Sequence, residues 1–318
     1  MMTRPLSLVA DIGGTNTRVA TACAGKVDRS SIRRFSNADH DGLGQVLRAF
    51  VNEHGPIDCA SACVAVAGPV ENGNAILTNL DWRIDGDAIS TATGAARVAI
   101  INDLQAQGHA LGLIDAAHLR SVIAGPAHPD GVQLVIGVGT GFNAAPVQTI
   151  SGARVVSASE CGHMTLPVRS KADLALMQFV ETAHGFAGVE DVLSGRGLER
   201  LYAFHAKLAG TGDQLTAAAI MAAINDDPVA EATGRCFLRL LGTVAGDLAL
   251  IHLPFGGIHL VGGVARAFAP YFQTFGFAEA FRDKGRFADF MKDFTVSVIE
   301  DDYAALEGCA AYLSSGAA

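Results

Sequence analysis

Two glycine-rich turns and one polar pair are the residues in this chain whose types and spacing could do chemistry. The first turn is Gly13-Gly14-Thr15-Asn16, with Asp11 just ahead of it, set between apolar runs at 6–10 and 18–22 that have strand composition. Glycines and small hydroxyls let backbone N–H groups approach an anion without obstruction, and a carboxylate at the end of the first strand can hold a metal ion or its water. The second turn, Gly137-Val138-Gly139-Thr140-Gly141, follows another apolar run at 132–136. Two such turns are expected to act as two jaws around one polyphosphate. The polar pair is Asn102-Asp103, delivered at the end of the segment Arg97–Ile101. In open α/β sheets ligands bind beyond the carboxyl ends of strands, so a polar pair there is a site candidate. Each feature also has a plain structural reading. A glycine turn closes an ordinary hairpin, and Asn or Asp caps a helix, here one over 104–113.

These groups need strands that end beside one another and helices that cover them. Apolar residues at 43, 46, 47, 50 and 51 form a helical stripe, and 59–67 is a continuous apolar run suited to a buried strand. Residues 69–78 read as a hairpin turning at Asn72-Gly73, and Asp87 is placed to cap a short helix. Further strands are expected near 144–149 and 153–157. Ser194 can cap a helix from Gly197 to Lys207, and Asp227-Pro228 opens a long helix towards Leu250 with proline in its first turn. Ile258–Val261 reads as a core strand leading to a third glycine turn at Gly262-Gly263, and Tyr303–Tyr312 as a final helix rich in small residues. No internal repeat, low-complexity stretch or flexible linker is apparent.

Composition narrows the function classes. The chain has 318 residues, half of them hydrophobic, and a formal charge of -9. That length supports two domains, and the acidic balance argues against nucleic acid or an anionic membrane as a partner. Six scattered cysteines in mostly apolar contexts do not read as a disulfide framework. Residues 248–265 lack Lys, Arg, Asp and Glu, yet Pro254, four glycines and two histidines break that stretch into a helix end, a turn and a strand. Met1–Pro5 run straight into the strand carrying Asp11 rather than into a signal-peptide core, so a cytoplasmic location is expected.

An ordered set of segments now resembles the bacterial glucokinase family of the actin/hexokinase superfamily. The set runs through Asp11–Asn16, Thr78-Asn79 with Trp82, Ile101–Asp103, Gly139–Gly141, Glu160-Cys161-Gly162-His163, Glu190–Gly195, Gly262-Gly263 and Asp283–Phe287. The resemblance implies an α/β fold of two actin-like (ribonuclease H-like) domains, each a mixed sheet flanked by helices, around a central cleft; the two-jaw arrangement of the glycine turns leads us to expect closure on sugar. It implies a small domain over 1–104 plus about 299–318 and a large one over about 105–298. It implies ATP and Mg²⁺ as cofactors, and transfer of the γ-phosphoryl group to the 6-hydroxyl of D-glucose with Asp103 as general base. Asn102, Asp103, Glu160, His163, Glu190, Thr78 and Asn79 correspond to the family's sugar-binding positions. Asp11, Gly13, Gly14, Thr15, Asn16, Gly139, Thr140, Gly141, Gly262 and Gly263 correspond to its nucleotide-binding positions, with Asp11 holding Mg²⁺ directly or through water. The chemistry suits these residue types, because phosphoryl transfer asks mainly for alignment, charge neutralisation and a base on the attacking hydroxyl.

Three positions depart from the family pattern: Ser159 and Cys161 flank Glu160 where glycines are usual, and Asn143 follows the second turn where another glycine is common. They bear on sugar specificity more than on the reaction, and Cys161 raises the question of sensitivity to oxidation. The absence of a cysteine cluster after His163 sets the chain apart from the related ROK kinases with structural zinc. A kinase for another hexose or an N-acetylhexosamine is the alternative reading, and a non-catalytic sugar sensor a more distant one. A homodimer is expected from the resemblance alone.

Overall fold

The computed structural model describes residues 6–55, 58–77, 80–126 and 128–315. The chain divides into two compact units, one of Met1–Asp115, Thr149–Ala158 and Asp301–Ala318, the other of Ala116–Gln148 and Ser159–Glu300.

The first unit is built on a mixed sheet. Strands β1 (Leu6–Ile12) and β2 (Asn16–Cys23) form an antiparallel hairpin, extended by β3 (Lys26–Val27) and β4 (Arg33–Ser36), both paired to β2. Helix α1 (Leu43–His54) leads to β5 (Cys59–Val66), parallel to β1. A small sheet follows, of β6 (Val70–Glu71), β7 (Asn74–Leu77) and β8 (Trp82–Asp85), in which Asn72 and Gly73 take positive φ of 50° and 73°. Those are the angles an Asn-Gly hairpin turn demands. Helix α2 (Gly86–Thr93) is capped by Asp85, whose carboxylate accepts from the Ala88 N–H at 2.8 Å. The expected cap, Asp87, lies instead inside the first turn, because the extended backbone a cap needs belongs to Asp85. Strand β9 (Arg97–Asn102) then pairs parallel to β5 and runs into α3 (Asp103–Ala110).

The central strands are mostly apolar because both faces are covered. Leu8, Ala10 and Ile12 alternate with Val9, and Val64 and Val66 with Cys63 and Ala65. One set packs on Val46, Leu47 and Phe50 of α1 and Ile89 of α2; the other packs on Leu306, Cys309 and Ala310 near the C-terminus.

In the second unit β10 (Leu119–Ile123), β11 (Gln133–Val138) and β12 (Phe142–Ile150) precede β13 (Ala153–Val156), whose segment belongs to the first unit. Helices α4 (Lys171–His184), α5 (Gly195–Ala209), α6 (Ala217–Ala223) and α7 (Pro228–His252) follow, then β14 (Gly257–Val261), α8 (Gly263–Ala267), α9 (Phe277–Arg282) and β15 (Val296–Ile299). The last helix, α10 (Ala304–Ser314), returns to the first unit. β11 and β12 form an antiparallel hairpin, β14 lies parallel to β11, and β15 parallel to β14. The arrangement reproduces that of β2, β1, β5 and β9. The repeat that is invisible in the residues is therefore present in the topology.

The segments 105–115 and 149–158 fall in the first unit, whereas the sequence reading assigned them to the larger domain. Local contacts account for the placement. Arg154 donates to the carbonyls of Gly108, His109 and Leu111, capping the C-terminal end of α3, and Gln105 donates to Val156 O at 3.3 Å. All six cysteines are free thiols. Among the described residues no helix is long and apolar enough to cross a membrane. The uncharged stretch 248–265 is split between the end of α7, β14 and the start of α8.

Candidate functional site

In the first unit the register brings the candidate residues to one edge. Ile12, Val66 and Asn102 are successive partners across β1, β5 and β9, so Asp11, Gly13–Asn16 and Asp103 all lie at or just beyond the carboxyl ends of three adjacent strands. Gly13 N–H bonds Asn16 O at 3.0 Å and closes the turn. Gly14 and Thr15 are exposed, and a Cβ at Gly14 would meet nothing within 4 Å. No internal packing demands glycine there, which leaves open space where a ligand can approach the backbone.

Sequence reasoning missed the residue that holds this turn. Buried Asn37 donates its backbone N–H to Thr15 O at 2.9 Å and its side-chain amide to Gly13 O at 2.8 Å, and it accepts from Thr17 Oγ1 at 2.8 Å. Nothing in the local pattern around residue 37 signals a link to a turn more than twenty positions away.

Asn102 is the N-cap of α3. Its Oδ1 accepts from Leu104 N–H at 2.9 Å, Gln105 Oε1 accepts from Asn102 N–H at 3.0 Å to complete a capping box, and its Nδ2 donates to Gly68 O at 2.9 Å. The cap is thus Asn102, and it leaves Asp103 as the first residue of the helix. Asp103 Oδ1 accepts from the Leu104 N–H at 2.9 Å. Burial is the main cause that pushes the Asp103 carboxyl up to about 7, the Asp11 carboxylate adding to it against hydrogen bonds from Leu104, its own backbone and Asn102. Asp11 is itself raised by burial, which outweighs the ion pair with Arg18 at 3.2 Å. Thr78 and Asn79 lie outside the described residues.

The second unit carries the other candidates. Gly139 N–H bonds Gly141 O at 2.9 Å, and Gly139 O accepts from Gly195 N–H at 2.8 Å, tying the turn to the start of α5. Ser194 caps α5, which runs from Gly195 rather than Gly197, by accepting from Gly197 N–H at 3.0 Å. A Cβ at Gly139 or Gly263 would meet nothing within 4 Å, whereas one at Gly262 would lie 2.4 Å from Val138 O in a backbone of φ +104°. Gly263 is open for an approaching ligand, but Gly262 is glycine because the fold requires it. Thr140 is exposed on the same turn.

Glu190 stands beside this turn. Its Oε2 accepts from Phe142 N–H at 2.9 Å and its own N–H bonds Gly162 O at 2.8 Å. Glu160 and His163 are exposed at either end of a short 3-10 turn, with His163 N–H on Glu160 O at 3.1 Å. The remaining segments have structural roles. Asp191 accepts from Gly188 N–H at 3.0 Å, and Lys284 reaches Thr243 O at 2.9 Å and Asp247 at 2.6 Å on α7. Burial pushes the Cys161 thiol above its ordinary range, which keeps it protonated and argues against a reactive thiolate.

The family model for Glucokinase matches residues 8–316. This chain belongs to the glucokinase family. A glucokinase from Marinobacter nauticus is 31% identical over 315 residues, covering 97% of each chain. The solved glucokinase of an Antarctic psychrotroph superposes with a TM-score of 0.86 at 31% identity, covering 98% of this chain and 99% of that one. A ROK family glucokinase from Streptomyces griseus, solved with glucose and AMPPNP, matches in fold with a TM-score of 0.63 at 20% identity, covering 96% and 98%. The expected α/β class with mixed sheets holds, and the family's activity is that of an enzyme, ATP-dependent phosphorylation of glucose.

Proposed function

We propose that Asp103 is the general base of this reaction on D-glucose. The 6-hydroxyl oxygen attacks the γ-phosphorus of ATP, the bond from that phosphorus to the β-bridging oxygen breaks, and the hydroxyl proton passes to the Asp103 carboxylate, leaving glucose 6-phosphate and ADP. The observation that carries this reading is the place of Asp103, just beyond the carboxyl end of β9 at the start of α3, and the rise of its pKa to about 7 by burial supports it. A base is most effective when its pKa lies near the working pH. Glu160, His163, Glu190 and the second amide N–H of Asn102 are read as the hydrogen-bonding groups for sugar hydroxyls, alongside Thr78 and Asn79. A site built from such groups discriminates strongly against analogues lacking a hydroxyl.

The turns Gly13–Asn16 and Gly139–Gly141, open at Gly14 and Gly139, are read with Gly262-Gly263 as the nucleotide-binding backbone. Mg²⁺ fits Asp11, because Mg²⁺ in kinases takes one or two carboxylates while phosphates and water complete its octahedron. Burial of Asp11 penalises its bare charge, which a nearby cation would offset. When bound, the ion would neutralise phosphate charge; Asp11 would hold it and Arg18 would keep Asp11 oriented.

The test is ADP release with Mg-ATP and a panel of glucose, mannose, fructose, glucosamine and N-acetylmannosamine, run beside Asp103→Asn. Turnover on glucose, reduced on the order of 10²–10⁴-fold in the variant, is expected. Preference for another sugar would move the substrate and keep the base; an unchanged variant would remove Asp103 from the mechanism.

We also infer a cytoplasmic homodimer that does not engage nucleic acid or membrane. The free cysteines and the charge of -9 support the location and the lack of polyanion binding, and the family resemblance supports the dimer. Light scattering after size exclusion measures the assembly.

A further inference from the structure

Asn143, the second residue of β12, stands opposite Gly137 of β11 and makes an unusual number of contacts for one side chain. Its Oδ1 accepts from Ala144 N–H at 2.9 Å, Ser159 Oγ at 3.0 Å, Cys161 N–H at 3.2 Å and the Cys161 thiol at 3.4 Å. Its Nδ2 donates to Ser159 O and to Glu160 Oε2, the latter at 3.3 Å. The single Ser159 hydroxyl proton is shared between Asn143 Oδ1 and Ala144 O, the latter the shorter contact at 2.6 Å. The three positions that depart from glycine are therefore one interlocked cluster, and Glu160 sits at its centre.

We propose that Asn143 is a positioning residue for sugar binding, fixing the Glu160 carboxylate while Ser159 and Cys161 fix the backbone on either side of it. The proposal rests on the reading of Glu160 as a sugar ligand and adds what orients it. Glu160 is exposed, so without a partner it would sample several rotamers and lose that freedom only when sugar binds. The Nδ2 contact removes that freedom in advance. It also leaves Oε1 and the second lone pair of Oε2 for hydroxyls, since an ionised carboxylate offers about four acceptor directions. Cys161 serves the cluster as a protonated donor, in keeping with its raised pKa.

The effect of pre-ordering one long side chain is worth roughly three- to tenfold in affinity. The experiment compares wild type, Asn143→Ala, Glu160→Gln and the double variant for the KM of glucose and of ATP. Expected is a rise in glucose KM of roughly three- to tenfold for Asn143→Ala with ATP KM unchanged, a larger rise for Glu160→Gln, and a double variant no worse than Glu160→Gln alone. If Glu160→Gln raises glucose KM but Asn143→Ala does not, or if the two effects multiply in full, the positioning role is overturned and Glu160 stays a ligand. If Glu160→Gln leaves glucose KM unchanged, the reading of Glu160 fails and the proposal with it. Should Asn143→Ala fold poorly, Asn143→Asp keeps the shape and the oxygen that accepts from Ser159 and Cys161, but sets a second carboxylate against Glu160. Its glucose KM is expected to be higher at pH 8 than at pH 5, because protonation relieves like-charge repulsion. A pH profile parallel to wild type overturns the contact.

Discussion

A Cβ on Gly141 would lie 2.5 Å from Oε2 of Glu190, the same oxygen that accepts the Phe142 N–H at 2.9 Å. The second glycine turn and a candidate sugar ligand are thus packed against each other with no room for a methyl group. Gly141→Ala must displace one or the other. Both glucose KM and ATP KM are expected to rise in that variant, and steady-state kinetics with each substrate varied in turn would show it. A rise confined to ATP would mean that Glu190 moves without consequence for sugar.

The raised Asp103 pKa predicts how activity depends on pH. A base must be unprotonated, so kcat/KM for glucose should fall as pH drops through about 7, the value to which burial and Asp11 push this carboxyl. Steady-state kinetics across the pH range is the check; an acid limb near the ordinary carboxylate value of 3.8 would mean that Asp103 is not the group that titrates.

The same shift predicts a stability effect of opposite sense. With a folded pKa above the unfolded value of 3.8, the native state binds more protons between the two, and stability contributed by this group is present at low pH and lost as pH rises through about 7. Asp103→Asn should therefore melt above wild type at pH 8, and the difference should shrink as pH falls towards 4. Thermal unfolding monitored across that range decides it. Equal melting temperatures at pH 8 would mean that the carboxylate is solvated in the folded protein. Gain in stability with loss of turnover is the pattern expected of a strained catalytic group.

Asn37 is expected to matter to nucleotide binding although it lies outside every recognised motif. Its three bonds hold Gly13, Thr15 and Thr17. Asn37→Ala leaves Gly13 O and the Thr17 hydroxyl without their partner and should cost about 1–3 kcal/mol of stability. Loosening of the turn should raise ATP KM more than glucose KM. A destabilised variant with normal ATP KM would restrict Asn37 to folding.

How much of this was legible before the structure depended on the range of the interaction. The strand at 59–67, the Asn72-Gly73 turn, the Asp227 cap and the helix after Asn102 follow from contacts within a few residues, and local composition encodes such contacts directly. The substitution of Asp85 for Asp87 as a cap is the kind of error that remains, because two acids two positions apart satisfy the same pattern.

By itself the sequence determined the chemistry available: which carboxylates, which open glycine turns, and through their order the glucokinase family. Tertiary structure alone decided which glycines serve the fold and which leave open space, since Gly262 and Gly141 are set by a carbonyl and a carboxylate far away in the chain. It also decided that Asn37 holds the first turn and that Asn143, Ser159 and Cys161 act as one cluster. Pairings across 15 or more residues are made by sheet register and loop path, which no local pattern records. The duplicated hairpin-plus-parallel-strand topology is of the same kind, because strand order is a property of the folded sheet and two runs of dissimilar residues can both satisfy it.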